Sequence, residues 1–260
     1  MRQVLAAAAN RGPVAGGGAR MRYRRGVPGL LVLWDVDHTL INAGRGGWRA
    51  YQLAFGQMFG RSVPVAPSMA GRTDRAIALE TLALAGVPDP RAQVDAFQRV
   101  LARVAPDIAD VVREHGRVLP GAARAIRAVA AAGGGRVLVQ SVLTGNMRVM
   151  AQVKLSALGL DRDLDLEVGA YGDDHEIRAD LVPLARAGAA AAYGADFSGA
   201  ATVLVGDTPL DVEAARVAGA RAVAVASGEF SVADLAASGA DAVLPDLTNT
   251  AAVLAAILPA

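Results

Sequence analysis

The 260-residue chain contains no cysteine. That excludes disulfides, thiolate metal sites and thiol nucleophiles together. It contains a single lysine, Lys154, although Lys and Arg together number 26. Its three histidines, His38, His115 and His175, lie far apart, and no pair has the spacing of a helical zinc motif. Charge of one sign is also missing. The net value is +1, so polyanion binding is not the main theme. No apolar run approaches the roughly 18 residues of a membrane span. The sole lysine lacks the GxxxxGK context of a P-loop, and no GxSxG elbow marks a serine hydrolase. What is abundant is small and apolar: hydrophobic residues make up 53% of the chain, enough for a sizeable core. The length suits one large domain, or a domain with an insertion.

Residues 1–28 read as a flexible tail, with Gly16–Gly18 followed by an arginine cluster between Arg20 and Arg25. The apolar stretch Val4–Ala9 is too short for a secretory signal, so a cytoplasmic location is expected. Beyond the tail, continuous apolar runs appear at Leu30–Trp34, Val137–Leu143, Leu164–Val168, Thr202–Val205 and Ala222–Ala226, with a weaker one at Ala242–Leu244. Such runs suit strands buried on both faces of a parallel sheet. Helical stretches lie between them at Ala122–Ala132, Met147–Leu158 and Leu210–Ala218, bounded by Pro before or Gly after. The alternation predicts an α/β fold.

One segment breaks the alternation. Trp48, Tyr51, Phe55 and Phe59 fall on one helical face. Arg75–Ala85 and Arg91–Glu114 also read as helices, separated by a turn at Pro88 and Pro90. The simplest organisation is a core of residues 29–44 and 118–260 with a helical insertion at 45–117.

Polar residues with chemical potential gather where strands should end. Asp35 and Asp37 stand two apart just past the first strand, and extended backbone points them the same way. Their repulsion calls for a cation or a shared proton, and a hard divalent ion prefers oxygen ligands. A pair of turn-forming aspartates is the plain alternative. Thr144-Gly145-Asn146 sits between a strand and a helix, where free amides bind anions. Simple helix capping explains it equally well. Lys154 lies about two turns into that helix and suits a phosphate oxygen or a carboxylate in a tight site. The alternative is an exposed helix lysine. Gly206-Asp207-Thr208-Pro209-Leu210-Asp211 again joins a strand to a helix, and its acids also suit capping. In open α/β sheets, ligands bind beyond the carboxyl ends of the strands, so the joint pattern is more specific than any member.

In order and spacing, Asp35-x-Asp37-x-Thr39, Thr144-Gly145-Asn146, Lys154 and Gly206-Asp207-x-Pro209-x-Asp211 resemble the motifs of the haloacid dehalogenase-like hydrolase superfamily. The phosphoglycolate phosphatase-like branch, with a helical cap, is the nearest in kind. The resemblance implies a Rossmann-like doubly wound parallel sheet core with an inserted α-helical cap. It implies a magnesium-dependent phosphatase that hydrolyses a small phosphorylated metabolite through an aspartyl-phosphate. Asp35 would be the nucleophile and Asp37 the acid and base. Mg2+ would be held by Asp35, the Asp37 carbonyl, Asp207 and Asp211, and the phosphoryl group by Thr144, Gly145, Asn146 and Lys154. Arg178 rivals Lys154 for the third motif. Gly71-Arg72-Thr73-Asp74 resembles the cap loop that faces the active site, so Arg72, Thr73 and Asp74 are expected to set substrate selectivity, with Arg72 meeting a carboxylate or second phosphate; a surface loop arginine paired with Asp74 is the plain alternative. Arg45 and Arg49 are weaker candidates. A closed cap argues against protein or nucleic-acid substrates. Asp37 disfavours dehalogenation, and a lysine-free insertion disfavours carbon–phosphorus cleavage. A phosphomutase, which keeps both aspartates, and a non-catalytic binding protein on the same fold remain the alternatives.

Overall fold

The computed structural model describes residues 27–133 and 135–258. Most of the segment read as a tail lies outside those residues. The first strand, β1, spans Val27–Trp34, so it begins ahead of Leu30 and takes in the last two positions assigned to the tail. Its side chains alternate between two cores. Leu30, Val32 and Trp34 enter one, and Leu31 and Leu33 enter the other. Burial on both faces is what the continuous apolar run requires.

The chain next makes β2 (Ile41–Asn42), then α1 (Gly46–Phe59), α2 (Asp74–Leu84), α3 (Pro90–Val104) and α4 (Ala109–His115). It returns along β3 (Arg117–Val118), which pairs antiparallel with β2. The single helix expected over Arg91–Glu114 is therefore two. A 3-10 turn at Ala105–Ile108 separates them, where Pro106 withholds a backbone donor. Tyr51 and Phe55 meet Phe97 of α3 with ring centroids 5.9 and 6.4 Å apart. The aromatic face of α1 thus packs on α3 within the same continuous core that takes in Leu30, Val32 and Trp34.

Alternation resumes with α5 (Ala122–Ala131), β4 (Val137–Val142), α6 (Arg148–Ala157), α7 (Leu181–Tyr193), β5 (Ala195–Asp196), β6 (Thr202–Gly206), α8 (Pro209–Val217), β7 (Arg221–Val225), α9 (Val232–Ala237), β8 (Ala242–Leu244) and α10 (Thr250–Ile257). The sheet runs β4-β1-β6-β7-β8, with β5 beside the start of β1, and every pairing is parallel. Helices α5 and α10 cover one face; α7 and α8 cover the other. β1 is flanked by β4 on one side and β6 on the other, and the chain crosses back from β4 to β6, which opens the switch-point crevice at the strand ends. Trp34 Nε1 donates to Gln140 Oε1 at 3.1 Å, and Gln140 Nε2 donates to the Ile126 carbonyl at 2.9 Å, so the polar atoms buried beside β1 are satisfied.

The strand expected at Leu164–Val168 does not form. Asp165 turns the chain there: its carboxylate accepts from the Glu167 amide at 3.0 Å, and this local bond competes with ladder pairing. Only a bridge between Leu143 and Ala170 remains beside β4. No helix among the described residues is long and apolar enough to cross a membrane.

Candidate active site

The sequence elements that end strands β1, β4 and β6 converge on one cavity of about 390 Å³. Asp35 follows β1 directly, and its amide donates to the Val205 carbonyl at 2.8 Å. This bond continues the β1–β6 register by one residue and delivers the carboxylate to the crevice. The chain then turns back sharply through His38, which adopts φ 61°. A left-handed conformation is uncommon for a residue with a Cβ and frequent at functional sites.

Asp207 follows β6 immediately, and Asp211 sits in the first turn of α8. Asp211 closes a capping box with Thr208: its carboxylate accepts from the Thr208 hydroxyl at 2.7 Å and from the Thr208 amide at 3.0 Å. Gly206 makes this possible, since a Cβ there would stand 2.1 Å from the Asp211 carboxyl carbon. One oxygen from each of Asp35, Asp207 and Asp211 lies within 4.8 Å of the others, and all three residues are buried. The Asp37 side chain is not part of that group.

Arg178, in the short turn before α7, enters the acidic group. Its Nη2 is 2.9 Å from Asp35 and also donates to Asp211. Nη1 donates to the Gly71 carbonyl at 3.2 Å, while Nε is buried without a partner among the described residues. Burial pushes the Asp35 carboxyl up to about 6, with Arg178 opposing and Asp211 adding repulsion. Burial, then the charges of Asp35 and Asp211, push Asp207 up to about 8. Burial opposes the charge on Arg178, but Asp211 and Asp35 outweigh it. One guanidinium therefore leaves three carboxylates undercompensated. Hard oxygen donors at this spacing, carrying excess negative charge, fit a divalent cation such as magnesium.

Lys154 has a different partner. From α6 its buried Nζ donates to Asp37 Oδ2 at 2.5 Å and to Asn146 Oδ1 at 2.6 Å. Asn146 Nδ2 completes the triangle by donating to Asp37 at 2.8 Å. Burial pushes the Asp37 carboxyl up, but Lys154 and Asn146 together hold it below the usual carboxylate range. The choice between Lys154 and Arg178 thus resolves geometrically into two positions: Arg178 faces Asp35 and Lys154 faces Asp37. The Thr144 hydroxyl accepts from Asn146 Nδ2 at 2.8 Å, and its proton has no acceptor among the described residues.

The loop of residues 71–74 lies directly against the Thr144–Asn146 loop. The Asp74 amide donates to the Gly145 carbonyl at 2.6 Å. Asp74 accepts from the Met147 amide at 2.7 Å and from the Tyr51 hydroxyl at 2.8 Å. Burial raises its pKa. A Cβ on Gly145 would stand 1.9 Å from the Arg72 carbonyl oxygen, so glycine is required by close approach as well as by any anion. Thr73 caps α2 and donates to the Glu176 carbonyl at 2.8 Å. Arg72 turns to Glu80 and to the Ser68 carbonyl rather than standing free in the cavity. Arg72 and Asp74 line the cavity; Thr73, Arg45 and Arg49 are not among its lining residues.

The model of the haloacid dehalogenase-like hydrolases matches residues 32–216. The chain belongs to that family. No curated protein matches it, but many solved structures do. A hydrolase from Pseudomonas syringae is similar at TM-score 0.61 and 20% identity, over 89% of this chain and all of the other. A predicted phosphoglycolate phosphatase from Haemophilus somnus is similar at 0.59 and 18%, over 85% of this chain and 96% of the other. A candidate β-phosphoglucomutase from Thermotoga maritima is similar at 0.52 and 18%, over 88% of this chain and all of the other. At such identities the likeness is one of fold, and it places this hydrolase-family chain on a sheet shared by proteins of several descriptions.

Three contacts at the site of this family member were missed in the sequence. Thr39 donates to Asp207 Oδ1 at 3.1 Å, 168 residues away. Its place after Asp37 was visible, but its partner was not. Tyr51 looked like a core aromatic and also holds Asp74. Gly228 carried no signal, yet a Cβ on it would stand 1.9 Å from Asp207 Oδ2.

Proposed function

We propose that the protein is a magnesium-dependent phosphatase acting on a small phosphorylated metabolite through an aspartyl-phosphate, with Mg2+ held by Asp35, the Asp37 carbonyl, Asp207 and Asp211. The helices of residues 45–117 serve as its cap, and the cytoplasm is its expected location. The observation that carries this reading is the pairing of two environments at one strand end: Asp35 lies in the acidic group, and Asp37, two residues on, is gripped by an ammonium and an amide. Two neighbouring carboxylates with opposite environments suit two different roles.

Bound magnesium would neutralise carboxylate repulsion and the charge that develops on the phosphoryl oxygens. The chain's own residues do the rest. Asp35 attacks phosphorus, and the ester oxygen leaves with a proton from Asp37. Lys154 Nζ, hydrogen-bonded to that carboxylate, stabilises the anion this leaves. A water then attacks the phosphorus, gives its proton back through Asp37 and frees Asp35. Thr144, with its uncommitted hydroxyl proton, the Gly145 amide and the third proton on Lys154 Nζ serve the phosphoryl oxygens, while Asn146, its donors given to Asp37 and Thr144, holds those groups in place. Arg178 holds Asp35 in line. Most of the acceleration is positioning and charge neutralisation. The cover of residues 71–74 keeps bulk water and macromolecules out.

Magnesium-dependent release of phosphate from p-nitrophenyl phosphate tests the proposal. Acid quenching should trap a phosphorylated chain, and both signals should vanish in Asp35→Asn. Activity that persists in that variant, or after chelation, overturns it.

A further inference from the structure

We infer that the cavity selects phosphomonoesters of uncharged, partly apolar alcohols and disfavours phosphorylated acids and bisphosphates. The inference rests on the proposed phosphatase activity and names the substrate class of that same site. Its first support is the fate of the cations. Among the described residues lining the cavity, the fixed positive charges are Arg72, Lys154 and Arg178. Each is already committed to carboxylates: Arg72 to Glu80, Lys154 to Asp37, and Arg178 to Asp35 and Asp211. Lys154 and Arg178 sit beside the aspartates of the reaction, so they serve the phosphoryl end. That leaves Arg72 for the rest of the substrate, and it is spent outside the cavity. His38, the remaining basic group on the wall, stands next to Asp37 and so also faces the reacting end.

The wall itself supplies the second support. Its carboxylates are Asp35, Asp37, Asp74, Asp207 and Glu229. With Asp35 and Asp207 offset by the proposed metal and Asp37 by Lys154, Asp74 and Glu229 are left on the wall, so a second anion on the substrate would lose its water beside them without gaining a partner, which is costly. Besides the acids, Trp48, Tyr51, Pro67, Met69, Ile77 and Met150 line the cavity from α1, α2, α6 and the loop before α2. Trp48 and Tyr51 are stacked, with centroids 6.3 Å apart and planes at 15°. That surface suits an aryl or alkyl leaving group by simple burial.

The test compares kcat/KM for phenyl phosphate and a short alkyl phosphate with those for phosphoglycolate, phosphoserine and a sugar bisphosphate. The uncharged esters should be favoured roughly tenfold or more, the range in which pockets of this kind discriminate. Met69→Arg, on the cavity wall away from the reacting groups, should narrow or reverse that preference. A binding readout stands beside activity. Trp48 fluorescence in Asp35→Asn should respond to phenyl phosphate at lower concentration than to phosphoglycolate, with Trp48→Phe as the blank. Equal or better turnover and binding of the phosphorylated acids overturns the inference while leaving the phosphatase reading intact. Absence of phosphate release from every ester, p-nitrophenyl phosphate included, overturns the phosphatase reading and the inference with it.

Discussion

Replacing Asp207 by Asn should stabilise the metal-free protein while abolishing its activity. Asp207 is 3% exposed and borders Asp35 and Asp211. Its pKa rises from 3.8 to about 8, so the native state keeps a proton that the unfolded chain has released. A raised carboxyl pKa means stability falls as pH climbs through the window from about 4 to about 8. At a pH of about 7.5 the whole shift would cost on the order of 5 kcal/mol. Asp35, itself raised to about 6 chiefly by burial, adds its repulsion to the burial of Asp207, and a single proton relieves that repulsion. About 3 kcal/mol is therefore the expected gain from removing one charge, with Asn keeping an oxygen for the Thr39 hydroxyl. In a chain of this size that corresponds to a rise of roughly 6–12 °C in Tm. At a pH of about 5 the gain should shrink to about 1 kcal/mol, because the unfolded chain then also approaches protonation. Scanning calorimetry of both proteins in chelator at the two pH values measures the difference directly. Magnesium should raise the Tm of the parent at the higher pH and leave the variant nearly unmoved. A variant no more stable than its parent at high pH, or a gap that ignores pH, refutes the argument.

Lys154→Met should move the alkaline limb of the kcat/KM profile, set by the acid that protonates the ester oxygen, to higher pH and lower kcat by roughly ten- to a thousandfold, because burial of Asp37 is then opposed mainly by the Asn146 hydrogen bond; an unmoved alkaline limb counts against the Asp37–Lys154 pairing. Gly145→Ala should cost about 2–4 kcal/mol, since the new methyl meets the Arg72 carbonyl, and limited proteolysis should find the 60–73 loop more readily cut; an unchanged denaturation midpoint contradicts that packing. Phe97→Ala should cost about 3–5 kcal/mol, read from urea unfolding, as it empties the centre shared with Tyr51 and Phe55.

Much of this was legible before any coordinates. Strands such as β1 and β6 declare themselves because burial on both faces demands an unbroken apolar run. The four motif segments declare themselves because strand ends are where such sheets keep their chemistry. What escaped was whatever depends on partners far away in the chain. Leu164–Val168 has a strand's composition, but the local bond of Asp165 to Glu167 overrides it. Helices α7, α9 and α10 were not anticipated; α7 is rich in alanine and carries Gly188 inside it, so its pattern is weak. Arg72 was read as a substrate contact or a partner of Asp74, because nothing nearby in sequence marks Glu80 as its partner. Lys154 and Arg178 looked like rivals because a linear reading offers one slot, whereas the fold provides two.

The short pairing of Ile41 with Val118 and Asn42 with Arg117 has an architectural consequence. The polypeptide leaves and returns through this two-stranded ribbon, which is separate from the parallel sheet, so the excursion between its strands is proposed to behave as a cassette. Its length and topology can vary without moving a single rung of the parallel ladder. The constraint on any replacement comes from α6, whose Met150 and Leu155 are buried within the same core that houses Tyr51 and Phe97. A transplanted cassette must bring its own greasy underside to that helix, and with it a new lining for the chamber.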